Sequence, residues 1–310
     1  MAQGVLVLGA GELGLAVLEA LAKHPKRNDT KLSVLLRQST LKSAEPAKTK
    51  MTETLRALGV HLEPGDITLD SVPELAAIFS HYDTVVTCTG MGLPPGTQKK
   101  ILDAVLEAKV RRYFPWQFGM DYDIIGEGSS QDLFDEQLAV RQTLRGQQET
   151  EWVIVSTGLF MSFLFIPAFG VVDLAKRIVR ALGSWDNSIT VTTPTDIGRV
   201  TAEVILDPRD IKNQVVYTAG DTVTYAQLAE YLDERFETSF TRELWDPQTL
   251  KKQLEEDPNN TMVKYRDTFA QGRGVAWPLS QTINAARGIQ LTDVETYLKG
   301  LDINLGSLEK

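Results

Sequence analysis

Through the first half of the chain, short unbroken apolar runs alternate with stretches whose apolar positions fall at helical spacing. Residues 5 to 8 are continuously apolar, a glycine turn follows, and then Leu13, Val17, Leu18 and Leu21 line one helical face. This predicts a buried parallel strand feeding a helix. "KLSVLLR" repeats the apolar run and ends at Arg37. "VHLEPGD" is a third, short strand, and the helical pattern after it starts near Ser71 with Pro73 and Glu74 in its first turn. "DTVVTCTG" is a fourth strand, followed by a helix over "GTQKKILDAVLEAKV". "RRYFPWQFG" and "TEWVIVSTG" supply the fifth and sixth.

Strands and helices alternating at this pace predict an α/β fold, a Rossmann-type doubly wound parallel sheet. After Gly158 the rhythm changes. "NSITVTTPTDIGRVTAEVIL" reads as a strand and a helix capped by Thr195 or Asp196, and "QVVYTAGDTVTYAQLAEYLDERF" as a strand and a helix starting near Thr224. The expected division is a nucleotide-binding domain over 1–157 and a smaller C-terminal α/β substrate lobe over 158–310. Part of 189–219 is expected to return to the first sheet.

Composition narrows the partners. The 310 residues carry a net charge of -9, which argues against a general nucleic-acid or anionic-membrane surface. One cysteine, Cys88, excludes an intramolecular disulfide, and three scattered histidines argue against a zinc site. The apolar strand pattern begins within four residues of the first Met, with no basic-then-apolar leader, so a cytoplasmic protein is expected. Residues 152 to 172 are uncharged over 21 positions, but Ser156, Thr157, Gly158, Ser162 and Pro167 interrupt them. They read as a buried strand running into an apolar wall rather than as a membrane span.

Gly9, Gly11 and Gly14 form G-x-G-x-x-G between the first strand and its helix. In a dinucleotide site the first glycine makes the tight turn, the second lets backbone approach pyrophosphate, and the third permits close helix–strand packing. The backbone at Glu12 and Leu13, in the first helical turn, presents unpaired N–H groups to phosphate. An NAD site would end the second strand in Asp or Glu. This chain has Arg37 there, with Gln38, Ser39 and Thr40 after it, which suits a 2′-phosphate and predicts NADPH. Lys48 and Lys50 follow, and Lys48 joins the predicted site. Ligands in this topology lie beyond the carboxyl ends of the strands, which adds Thr89, Gly90, Gln117 and Phe160 as cofactor contacts. Trp116 reads equally as core.

The chain resembles the isoflavone reductase-like and NmrA-like group of atypical short-chain dehydrogenases, most closely its fungal, CipA-like branch. The resemblance rests on "VLVLGAGELG", "LLRQST", "LGVHLEPGD", "RRYFPWQFGMDYD", "FDEQLAVRQTLR" and "VSTGLFMSFL", with "TDIGRV" beyond. It implies a monomer or weak homodimer that binds NADPH and reduces phenylpropanoid-type aromatics, as phenylcoumaran benzylic ether and pinoresinol-lariciresinol reductases do. It also implies Arg37 and Lys48 or Lys50 as the 2′-phosphate contacts and Phe160 as the aromatic against the nicotinamide.

One position departs. Where those reductases carry the lysine regarded as general acid/base, this chain has Gln137, which does not titrate near neutral pH. No tyrosine has lysine four residues on, so the ordinary short-chain dehydrogenase pair is missing too. Tyr122 is the expected replacement proton donor, Asp121 or Asp123 is expected to order a water, and Lys264 or Tyr265 to reach in from the substrate lobe. Gln137 itself is expected to orient a carbonyl. Two function classes compete with an NADPH-dependent reductase of an aromatic or conjugated molecule: a non-catalytic NADP(H) sensor, and a non-redox isomerase or cyclase.

Overall fold

A computed structural model describes residues 4–302. They form two compact units that interleave along the chain. The first holds residues up to Phe118, Glu136–Val155 and Pro194–Val216, and the second holds Gly119–Asp135, Ser156–Thr193 and the chain from Tyr217 onward. Pro194–Val216, within the 189–219 stretch expected to return to the first sheet, lies with the earlier residues, and Gly119–Asp135 lies with the later ones.

The first unit is built on a seven-stranded sheet. Its strands are β1 (Gly4–Leu8), β2 (Lys31–Leu36), β3 (Val60–Pro64), β4 (Thr84–Thr87), β5 (Arg112–Phe114), β6 (Glu151–Ser156) and a last strand, Gln214–Tyr217. Their spatial order, Gln214–Tyr217, β6, β5, β4, β1, β2, β3, reverses direction between β1 and β4. That reversal is the switch point of a doubly wound sheet. Adjacent strands from β3 to β6 pair in parallel. Leu6, Leu8, Val34 and Val85 are fully buried, as the unbroken apolar runs require of strands covered on both faces.

Helix α1 (Glu12–Lys23) packs on the helix Pro194–Leu206 so closely that a Cβ on Gly198 would lie 2.4 Å from the Ala16 carbonyl oxygen. That later helix opens on Pro194, ahead of the expected caps Thr195 and Asp196. Proline fits the first helical position, where its missing N–H costs nothing. Ser71 and Glu74 do form a capping box at the head of Val72–Phe79.

The second unit carries two three-stranded sheets. Asp221–Thr224, Ser188–Thr192 and Leu159–Phe160 form one, and Thr241–Trp245, Ile178–Leu182 and Val172–Asp173 the other. Its core gathers Phe134, Phe163, Phe169, Tyr265 and Phe269. The uncharged run of residues 152 to 172 becomes β6, the strand Leu159–Phe160 and the 3-10 helix Met161–Phe165. Among the described residues no helix is long and apolar enough to cross a membrane, and no metal-holding cluster of His, Cys, Asp or Glu occurs.

Candidate active site

The turn after β1 has the geometry its glycines predict. Gly9 has φ +94°, a left-handed conformation that favours glycine, and a Cβ on Gly14 would sit 2.1 Å from the Gly9 carbonyl oxygen. Gly14 therefore lets α1 start directly against the strand end. Gly11 caps α1 without a side-chain bond, and nothing lies within 4 Å of where its Cβ would be. The open side of Gly11 faces a cavity of about 310 Å³ at the carboxyl ends of β1 and β2, within the range of small-molecule sites. A larger surface groove, about 1010 Å³, runs past the amino ends of these strands, lined by Gly4, Lys31, His61 and His81. Doubly wound sheets bind at carboxyl ends, so the smaller cavity is the candidate site.

Of the residues expected to hold cofactor, Gly9, Gly11, Arg37, Lys48 and Thr89 line this cavity together. Arg37 directly follows β2 and is exposed. Lys48 reaches the cavity from the helix Pro46–Ala57 and is paired with Glu45 at 2.6 Å. Lys50 and Ser39 are exposed and do not line it. Glu12 points to solvent and Leu13 is buried, so neither brings its side chain to the cavity; what they offer is backbone N–H at the helix start.

Sequence reading missed the opposite wall. Gly65, Asp66, Ile67 and Thr68 close the cavity after β3. Asp66 Oδ1 accepts from the Thr68 hydroxyl at 2.6 Å and the Thr68 amide at 2.8 Å. Burial pushes the Asp66 carboxyl up. The bonds from Thr68 and from the Leu69 amide, with the charge of Arg37, outweigh that and hold it below its ordinary value. The "PGDIT" stretch, an Asx-turn pattern directly after a strand end, was the available signal.

At the next strand exits, Thr89 lines the cavity and its carbonyl accepts from Gln98 Nε2 at 3.1 Å. Gly90 does not line it. A Cβ there would fall 2.0 Å from the Trp116 indole, so Gly90 is a seat for that ring. Gln117, expected at the cofactor, instead joins a buried polar node. Its Nε2 donates to the Gln137 carbonyl at 2.8 Å, and its Oε1 accepts from Arg141 Nε at 2.6 Å. The helix Asp132–Arg145 brings Gln137 and Arg141 to one face at i, i+4 spacing. Its Glu136 accepts from the Gln98 amide at 2.9 Å, at the start of the helix Thr97–Glu107.

The remaining candidates lie in the second unit. Tyr122 is buried, its ring 4.9 Å from that of Phe134. Phe160 is half-buried in the strand Leu159–Phe160, against that unit's core. Asp121 is buried and accepts from the Tyr217 hydroxyl at 2.6 Å, which commits it to structure, whereas Asp123 is exposed. Lys264 is ion-paired with Asp132. Tyr265 sits in the aromatic cluster, where burial first and Tyr122 second push its phenol up. Cys88 is buried, and burial pushes its thiol up, away from reactive thiolate chemistry.

Comparison with known proteins places this arrangement. The model of the NmrA-like family matches residues 1–298. The chain is 59% identical over 306 residues to the NmrA-like family domain-containing oxidoreductase of Gibberella moniliformis, covering 98% of this chain and 99% of the relative. It is 25% identical over 314 residues to phenylcoumaran benzylic ether reductase Betv6 of Betula pendula, covering 95% and 97%. The solved structure of AtPrR2 with NADP+ and (+)pinoresinol superposes with a TM-score of 0.77 at 18% identity, over 96% of this chain and 98% of that one. With a Rossmann order, a glycine turn against an Arg-ended second strand, and a family match along almost its whole length, the chain belongs to the NmrA-like family.

Proposed function

We propose that this protein is an NADPH-dependent reductase of a flat aromatic or conjugated small molecule of the enone, quinone-like or phenylpropanoid type. The carrying observation is that Arg37 and Lys48 line the same cavity as Gly9 and Gly11. A glycine turn and helix start suit pyrophosphate, and two cations beside them suit a 2′-phosphate. The residues present fit NADPH for that reason, and the oxidoreductase and reductase names of the relatives support it. The pinoresinol bound to AtPrR2 supports an aromatic substrate.

When bound, NADPH supplies the hydride. Arg37 and Lys48 hold the phosphate end, the second of them by giving up or sharing its bond to Glu45. Gln137 orients the acceptor through its carboxamide, and Tyr122 is the phenol assigned to protonation. A delocalised acceptor such as a quinone or enone demands least of a positioned acid, which is what a chain with an amide in the lysine's place tolerates.

The test is NADPH oxidation by purified protein, followed by absorbance across aromatic ketones, enones, benzylic ethers and quinones, with NADH as control. Turnover with NADPH that Tyr122→Phe abolishes supports both the reductase and its donor. Turnover unaffected by Tyr122→Phe leaves the reductase standing and removes Tyr122. Tight NADPH binding with no turnover favours a nucleotide sensor, the reading that a non-titrating Gln137 also favours.

A further inference from the structure

Gln137 is 1% exposed, and both its Oε1 and its Nε2 are buried without a protein hydrogen-bond partner. Among the described residues, Arg112, Thr150, Thr201, Tyr225 and Gln253 each leave one side-chain atom in that state; Gln137 leaves both ends of a carboxamide. Buried polar groups are almost always paired, because the water they give up must be replaced. The backbone beneath this side chain is firmly held. Gln117, fully buried, bonds the Gln137 carbonyl and is bonded in turn by Arg141, also fully buried. Gln117 lies just past β5, so this tether sets residue 137 beside a strand's carboxyl end, the edge where ligands bind.

We infer that the Gln137 carboxamide is a recognition group for an amide edge, a ligand N–H and C=O lying side by side as in a primary carboxamide or an aromatic lactam. Along one edge a carboxamide presents one N–H beside its C=O, its second N–H pointing away from that edge. A simple ketone satisfies only its N–H and leaves Oε1 unpaired. A cis-amide edge satisfies both through two antiparallel N–H···O bonds. Two sources carry this chemistry, the carboxamide of the nicotinamide ring and a lactam substrate. Arg141 and Gln117 are positioning residues for the contact. The inference rests on the reductase reading and deepens it by naming what Gln137 recognises.

Two binding arms distinguish the sources in wild type, Gln137→Leu and Gln137→Met. In the first, NADPH is compared with its 3-acetylpyridine analogue, which keeps the carbonyl and lacks the N–H. In the second, 2-quinolone is compared with N-methyl-2-quinolone, each titrated onto NADPH-loaded protein. The expected result is that wild type prefers the N–H form by about tenfold in one arm and that both variants lose that preference. Loss in the first arm assigns the edge to nicotinamide, and loss in the second assigns it to substrate. The ligand-free variants are expected to melt higher than wild type, since the unpaired amide is gone. An N–H preference absent from wild type in both arms, or retained by both variants, overturns the inference. A wild-type chain that binds no NADPH sinks the reductase reading and this inference with it.

Discussion

Gln117 accepts a hydrogen bond from Arg141 Nε at 2.6 Å between two side chains that are both fully buried. The same Gln117 carboxamide donates to the Gln137 carbonyl, so one residue after β5 ties down two positions one helical turn apart. Gln117→Leu removes both bonds in a dry environment and is expected to cost about 1–3 kcal/mol of stability by urea denaturation. Gln117→Glu keeps the acceptor for Arg141 and loses only the donor, so its loss is expected to be smaller. Equal losses would show that the Arg141 bond contributes little.

Gly90 and Trp116 are coupled by shape alone. A methyl group at position 90 would enter the indole ring, so Gly90→Ala is expected to destabilise the wild-type chain by about 1–3 kcal/mol. In a Trp116→Ala background the same change should cost far less. The double-mutant cycle therefore predicts a clear coupling energy, and additive losses would place the strain elsewhere.

Cofactor choice is predicted to reside in Arg37, which lines the cavity with Lys48. Arg37→Glu places a like charge where the 2′-phosphate belongs and is expected to weaken NADPH binding roughly 10- to 100-fold in a fluorescence titration. NADH, lacking that phosphate, should be affected much less. Equal losses for both nucleotides would remove Arg37 from the discrimination.

Asp66 predicts a pH dependence. Its carboxyl is held below the ordinary value of 3.8, so the unfolded chain binds the proton more readily. The resulting stability is present above 3.8 and is lost as pH falls through the lower folded-state value. Asp66→Asn is therefore expected to melt below wild type at neutral pH, with the gap closing in acid. A gap that stays constant down the acid limb would show that the hydrogen-bonded turn matters and the charge does not. Because the group is only partly buried, solvent screens it and the effect is expected to be modest.

Strand and helix alternation, the glycine turn and the arginine ending β2 were legible because each rests on local rules: the burial of a parallel strand, the backbone freedom of glycine and the charge at a strand end. Gly9, Gly11 and Arg37 line one cavity. The Asp66–Thr68 wall was not read, since a cavity wall after β3 becomes part of the site only when β3 pairs beside β2. Gly90 and Gln117 were placed at the correct strand ends, but not in their surroundings. Neither the spacing nor the composition showed that Trp116 covers one of them and that Arg141 engages the other.

The amino-acid sequence by itself determined the order of elements, the doubly wound class, the glycine turn after β1 and a side chain at residue 137 that does not titrate, all of which follow from near-neighbour chemistry. Tertiary structure alone decided that Gly119–Asp135 packs with the second unit, while Pro194–Val216, inside the stretch expected to return, packs with the first. It also decided that Gln137 is buried with its carboxamide unpaired. Those outcomes depend on which distant surfaces exclude water from a side chain, and that is a property of packing between elements far apart in sequence.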